Sequence, residues 1–161
     1  MDNPRRRVMQ KLGFARWQCR HLGRDDLARG EGEGLLEAAI SHLVGAYRVF
    51  LLEIAGDEHL LADPRTLDVR SAGLLRAAYR DYLPPAVAEC ANLEAQPGWL
   101  ADLLRWGAAL ELGEPVADRV VGSGLISSVG GSRDAELGRV WGCLEALEAL
   151  IERLRGEMLE Y

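Results

Sequence analysis

Two segments of the chain repeat apolar residues at spacings that alternate between four and three without interruption. A helix turns about 100° per residue, so this alternation places all members of a segment along one stripe. Such stripes pack knobs into holes between neighbouring helices at shallow crossing angles. The pattern therefore predicts an all-α, single-domain bundle of four to six helices, mainly antiparallel. The first stripe is Leu36, Ile40, Leu43, Tyr47, Phe50 and Ile54, and the second is Leu137, Val140, Leu144, Leu147, Ile151, Leu154 and Met158.

The N-terminal region predicts a helix over residues 5–21. Its apolar stripe again follows four-three spacing, and Phe14 and Trp17 are expected to widen the same buried side. The four tryptophans of the chain (17, 99, 106 and 141) are expected to be core and interface anchors. The stripe itself consists of Val8, Leu12, Ala15, Cys19 and Leu22.

The middle of the chain predicts a central helix over residues 35–55, apolar around most of its circumference. The glycine-rich run 30–34 before it either breaks a helix or costs about 1 kcal/mol per glycine. A third helix is predicted over 67–83, and shorter ones after Pro84-Pro85 and after Pro97. The inward residues of the helix over 67–83 are predicted to be Leu74, Leu75, Ala78, Tyr79 and Tyr82.

Length and composition predict one domain over residues 1–161, interrupted by a Gly/Ser-rich loop at about 114–132. No window approaches about 20 apolar residues without a charge, so neither a membrane span nor a membrane partner is expected. No signal-peptide pattern follows the Arg5–Arg7 triplet. Three widely spaced cysteines predict reduced, buried thiols and a cytoplasmic location.

Charge is distributed unevenly along the chain. Residues 1–29 hold eight basic and three acidic side chains, a balance of +5, which leaves −11 on the rest of a chain whose net charge is −6. Four arginines of the first helix and the turn after it share one face, and such a stripe either tracks nucleic-acid phosphates or pairs with acidic helix faces. We favour pairing, within the chain or with a dimer partner. The stripe is Arg5, Arg16, Arg20 and Arg24, and its acidic counterpart on the last helix is Glu145, Glu148 and Glu152.

Residues that could carry chemistry are sparse. His42 and Glu53 share one azimuth of the central helix and could line a polar pocket, but they are eleven positions apart, about 16 Å along the helix axis, which is too far for one metal ion. The pair Arg16 and His21 matches a loose Arg-x4-6-His ribonuclease pattern that occurs by chance in arginine-rich chains. The sequence thus predicts no catalytic residue, no metal ligand and no cofactor.

Several segments occur in an order that resembles an uncharacterised family of short helical proteins from pseudomonads and related gammaproteobacteria. The most specific are His42-Leu43-Val44-Gly45-Ala46 and Glu53-Ile54-Ala55-Gly56. Residues 10–15, residues 96–104 and the closing amphipathic helix accompany them. The resemblance implies a helical, cytoplasmic bacterial protein, and it transfers no activity or catalytic residue.

The function remains unknown at this level. The leading hypothesis is a non-enzymatic helical protein that acts through protein–protein contacts, with a homodimer as one form. The alternatives are a nucleic-acid-associated protein that uses the arginine stripe, and a ribonuclease-like or small-ligand-binding bundle.

Overall fold

The computed structural model describes residues 3–56, 66–79, 81–116, 119–120 and 131–160. Over these residues the protein has six α-helices and no β-strand, which confirms the all-α prediction. The helices are α1 (Pro4–Leu22), α2 (Arg29–Gly56), α3 (Ala72–Leu75), α4 (Pro85–Ala95), α5 (Trp99–Glu111) and α6 (Gly131–Leu159), and a 3-10 turn at Arg76–Ala78 follows α3.

The two apolar stripes with uninterrupted four-three spacing, one on α2 and one on α6, form the centre of the core. All six stripe residues of α2 are buried, and so are the five inner ones of α6, whereas Leu137 and Met158 at its ends are partly buried. Leu43 and Leu147 are both 0% exposed. The buried stripe of α1 is confirmed as well, from Val8 through Leu22.

Helix directions follow from side-chain contacts. Lys11 and Gln18 of α1 lie beside Gly45 and His42 of α2, so these two helices are antiparallel. The first and last helices are antiparallel too, since Gly23 lies beside Leu137 and Arg16 pairs with Glu148. Consequently α2 and α6 run in the same direction.

Glycine-rich sequence does not interrupt α2. The helix begins at Arg29 and includes the run 30–34, so the helical alternative is the observed one. A second glycine effect occurs where α2 meets α5: a Cβ on Gly107 would lie 2.8 Å from Cγ2 of Val44. This close approach requires a residue without a side chain.

The predicted helix over 67–83 is wrong. Among the residues of this range that the structure describes, only Ala72–Leu75 are α-helical, and Tyr79 already has extended backbone angles. Local polar side chains set the start, because the Ser71 hydroxyl accepts a hydrogen bond from the Leu74 N–H and Asp68 accepts one from the Arg70 N–H. As a result, two of the residues predicted to face inward, Leu74 and Tyr82, are exposed.

Most of the predicted Gly/Ser-rich loop at 114–132 lies outside the described residues. Within it, Val116 and Val120 are buried against the core, and Arg119 pairs with Glu114.

Among the described helices, residues 30–56 of α2 are long and apolar enough to cross a membrane by length and composition alone. Half of the most apolar window is buried inside the protein, and a core helix has this property as well.

Candidate functional site: the outward face of α1

Helix α1 is the most basic element of the described chain. It begins at Pro4 after Asn3, whose side-chain oxygen accepts a hydrogen bond from the Arg5 N–H at 3.0 Å. Proline at this position loses no helical hydrogen bond. The helix contains no acidic residue, so none of its charges is neutralised from within. Its basic residues are Arg5, Arg6, Arg7, Lys11, Arg16 and Arg20.

Two aromatic side chains of α1 point away from the core, contrary to the sequence prediction. Phe14 is 45% exposed and Trp17 is 55% exposed. Trp17 follows the buried Ala15 by two residues, about 200° around the helix, so the core stripe and the indole lie on opposite sides. We define the outward face of α1 as Arg6, Phe14, Trp17 and Arg20, all of which are exposed.

Neighbouring imidazoles fix the orientation of both rings. The Trp17 indole stacks on His21 with ring centres 3.8 Å apart, and His21 Nδ1 lies 2.9 Å from the Trp17 carbonyl oxygen. Phe14 meets His42 of α2 edge-on, with centres 5.2 Å apart. The aromatic groups are therefore held on the surface by contacts along α1 and to α2.

The predicted arginine stripe divides into paired and unpaired members. Arg16 pairs with Glu148 of α6, as expected for pairing with an acidic helix face. Arg24 pairs with its near neighbour Asp26 at 3.0 Å. Arg5 and Arg20 form no ion pair with another described residue. Half of the stripe is thus engaged within the chain.

The two residues of the predicted polar pocket bond to different helices. His42 Nδ1 lies 2.9 Å from Oε1 of Gln18, a buried side chain of α1. Burial, followed by the charge of Lys11, lowers the pKa of His42, although a hydrogen bond to the Ala38 backbone opposes the shift. Glu53 instead receives two hydrogen bonds from Arg155 of α6, at 2.8 and 2.7 Å. Each group therefore fixes a separate helix contact.

Comparison with known proteins adds one finding. The model of a family of unknown function, DUF6586, matches residues 1–161.

The chain belongs to this family.

No curated protein and no solved structure matches the chain. The sequence resemblance to an uncharacterised family is confirmed to the extent that the chain belongs to a family of unknown function. The functional interpretation of this family member consequently depends on its surface and its titratable groups.

The thiols are poorly suited to nucleophilic chemistry. All three cysteines are free and buried. Burial raises the pKa of Cys19 to about 11 and that of Cys90 and Cys143 to about 12. A thiol rather than a thiolate is thus present at neutral pH, and only the thiolate is nucleophilic. The part of the chain that the structure describes contains no group of three or more His, Cys, Asp or Glu placed to hold a metal ion.

One polar cluster was not found from the sequence. Glu94 of α4 accepts hydrogen bonds from the Tyr47 hydroxyl (2.6 Å) and from the backbone N–H groups of Ala72 and Gly73. It therefore fastens α3 to α2 and α4. The residues are 22 and 47 positions apart, so no local pattern indicates the contact.

Proposed function

We propose that this protein is a non-enzymatic helical module that acts through protein–protein contacts made by the outward face of α1. The observation that carries the proposal is the exposure of Phe14 and Trp17 on a helix whose opposite side is fully buried. Tryptophan and arginine are the residues most enriched at the energetic centres of protein interfaces. Here Trp17 lies between Arg6 and Arg20 on one face.

The states of the chemistry-bearing groups support a binding role over catalysis. His42 contacts Gln18, Glu53 is bound by Arg155, and His21 is stacked on Trp17. Arg16 of the ribonuclease-like pair contacts Glu148 on another helix. These contacts stabilise the bundle and leave the aromatic and basic surface of α1 as the feature that packing does not explain.

Protein is the partner class that the charge pattern favours over nucleic acid. Two of the four stripe arginines are engaged in ion pairs, and the net charge of the chain is −6. A long polyanion would meet repulsion beyond α1, since its binding depends on many unpaired cations. We place the protein in the bacterial cytoplasm, in keeping with its free, buried thiols and with the resemblance described above.

Site-specific photocrosslinking in the cells that produce the protein tests the proposal. The photoreactive residue p-benzoylphenylalanine replaces Trp17 in one variant. In the control variant it replaces Leu112, which is 77% exposed at the end of α5. We expect protein adducts, identified by mass spectrometry, at position 17 and not at 112. Adducts with nucleic acid alone, or equal yields of protein adducts at both positions, would overturn the proposal.

A further inference from the structure

The outer surface of α6 has the opposite character to that of α1. Six exposed residues alternate at four-three spacing along it and combine small side chains with carboxylates. A Cβ built on any of its three glycines would have nothing within 4 Å, so the surface is open. We call this the outward face of α6: Gly138, Gly142, Glu145, Ala149, Glu152 and Gly156.

The faces of α1 and α6 complement each other in charge and size. One presents guanidinium groups and a large indole, and the other presents carboxylates between residues with little or no side chain. Glu152 has no ion-pair partner among the described residues, and Glu145 accepts a hydrogen bond from the Trp141 indole at 3.0 Å. The unpaired charges on the two faces are opposite, so the faces attract each other across an interface.

Within one copy, the ion pair between α1 and α6 already uses the same chemistry. Arg16 of α1 pairs with Glu148 of α6, and the Arg155 guanidinium contacts the Met9 sulfur at 3.6 Å. These contacts lie along the seam where the two antiparallel helices meet. Because the helices are neighbours, their outward faces lie on either side of this seam and together make a surface that is basic on the α1 side and acidic on the α6 side.

We propose that this surface binds a second copy of the chain, with the outward face of α1 in each copy packed against the outward face of α6 in the other. The inference deepens the proposed function by naming the partner, and it depends on that function being correct. A two-fold axis parallel to the helices, between α1 and α6, places each α1 over the partner's α6. Every contact between copies then repeats the antiparallel arrangement found within one copy.

Charge selects this reciprocal arrangement over direct α1–α1 packing. An interface of α1 with its own symmetry mate would oppose arginines with arginines, and like charges at a contact oppose association. The reciprocal arrangement pairs Arg6 and Arg20 with Glu145 and Glu152 twice. The resulting dimer is a closed assembly, because the outward faces of α1 and α6 in both copies are used within it.

A charge-swap experiment tests the arrangement on the purified full chain. Sedimentation equilibrium should give twice the chain mass of 17.7 kDa, with a dissociation constant that rises with salt. Variant A carries Arg6→Glu and Arg20→Glu, which makes both faces acidic. Variant B carries Glu145→Arg and Glu152→Arg, which makes both basic. Each variant alone should sediment as a monomer, and an equimolar mixture should restore a dimer that contains one copy of each.

The control reverses the same number of exposed charges away from α1 and α6: Arg76→Glu in the 3-10 turn and Asp81→Arg before α4. It should remain dimeric, and circular dichroism should show the same helicity for all variants. A wild-type monomer, or a wild-type dimer that both A and B retain, would overturn the proposal, as would a mixture that stays monomeric. If the wild type is monomeric while position 17 still crosslinks to a different protein, the proposed function holds and only the second copy is rejected.

Discussion

Two arginines of α6, separated by one residue, occupy different environments. The Arg155 side chain is 13% exposed and binds the two carboxylate oxygens of Glu53, whose side chain is 11% exposed. The guanidinium also lies over the Phe50 ring, 5.9 Å from its centre. In contrast, the Arg153 side chain is 48% exposed in its pair with Glu89.

These environments predict different costs of truncation. Arg155→Ala leaves Glu53 charged and nearly buried without its partner, and should lower the free energy of unfolding by about 3–5 kcal/mol. Arg153→Ala removes solvent-screened pairs with Glu89 and Glu157 and should cost about 0–1 kcal/mol. Urea unfolding of both variants measures the difference. Equal urea midpoints for the two variants would contradict the prediction, because they would mean that Glu53 is hydrogen-bonded by water or by another side chain once Arg155 is removed.

His42 should make stability depend on pH. Its pKa is lowered from 6.5 in the folded protein, first by burial and then by the charge of Lys11, with a smaller contribution from Arg7. The unfolded chain therefore binds more protons in the interval below 6.5, and the free energy of unfolding decreases as the pH falls through it. His42→Gln should reduce this dependence. The measurement is the urea midpoint of both proteins at neutral pH and below 6.5, and parallel curves would contradict the prediction.

Leu43 lies at the middle of the α2 stripe and is 0% exposed. Leu43→Ala loses transfer free energy and leaves a cavity, which together cost about 2–5 kcal/mol. Glu37→Ala, six residues earlier on the exposed side of the same helix, should change stability by less than about 0.5 kcal/mol. Thermal melting separates the two, and equal melting temperatures would mean that the faces of α2 are assigned wrongly.

At the scale of the helices, the α2–α5 contact depends on one missing side chain. Gly107→Ala would place a Cβ 2.8 Å from Val44, and overpacking of this kind costs about 1–3 kcal/mol. Gly34→Ala in the exposed part of α2 meets no atom within 4 Å and should stabilise the helix by about 0.5–1 kcal/mol.

The double variant Gly107→Ala with Val44→Ala tests the cause. It should be more stable than the sum of the two single changes predicts, because the smaller side chain at 44 makes room for the new methyl group. Strict additivity in denaturant unfolding would exclude the steric explanation.

Apolar periodicity predicted the long helices and failed for the short one. α2 and α6 have six or seven stripe residues each, and tertiary packing matches that pattern. Over residues 67–83 the sequence has similar helix-forming residues, but the Asp68 carboxylate bonds to the Arg70 N–H outside any helix, and the Ser71 hydroxyl caps the Leu74 N–H, so that the helix begins only at Ala72. Single hydrogen bonds between side chains and the nearby backbone determine where so short a helix begins. The spacing of apolar residues contains no information about them.

The site was predictable only in part. The charge asymmetry indicated that Arg16 would meet an acidic face, and its partner Glu148 was among the three glutamates named for α6. The exposure of Trp17 was missed because the side chain was assigned to the buried side for its apolar character, although it lies about 200° around the helix from Ala15. Contacts between distant residues, such as His42 with Gln18 and Glu53 with Arg155, depend on how the helices are arranged in space.

At the scale of the whole molecule, the buried apolar residues of all six helices form one continuous cluster. Glu94 and Arg155 add polar contacts that fasten α3 and α6 to the central helix. We therefore expect cooperative unfolding, in which fluorescence and circular dichroism report the same midpoint. Two separate transitions would show that part of the bundle opens independently.

The three buried thiols allow the opening of the helix bundle to be followed by chemical modification. Cys19, Cys90 and Cys143 lie on α1, α4 and α6, and their exposed fractions are 0, 0 and 3%. A disulfide reagent such as Ellman's reagent should modify each of them only after its own helix detaches, and all three at once in denaturant. Variants that retain one cysteine each should then react at a common rate if the bundle opens as a unit. A faster reaction at one position would identify the helix that detaches first. The relative reaction rates of the three cysteines therefore report the order in which the helices leave the bundle.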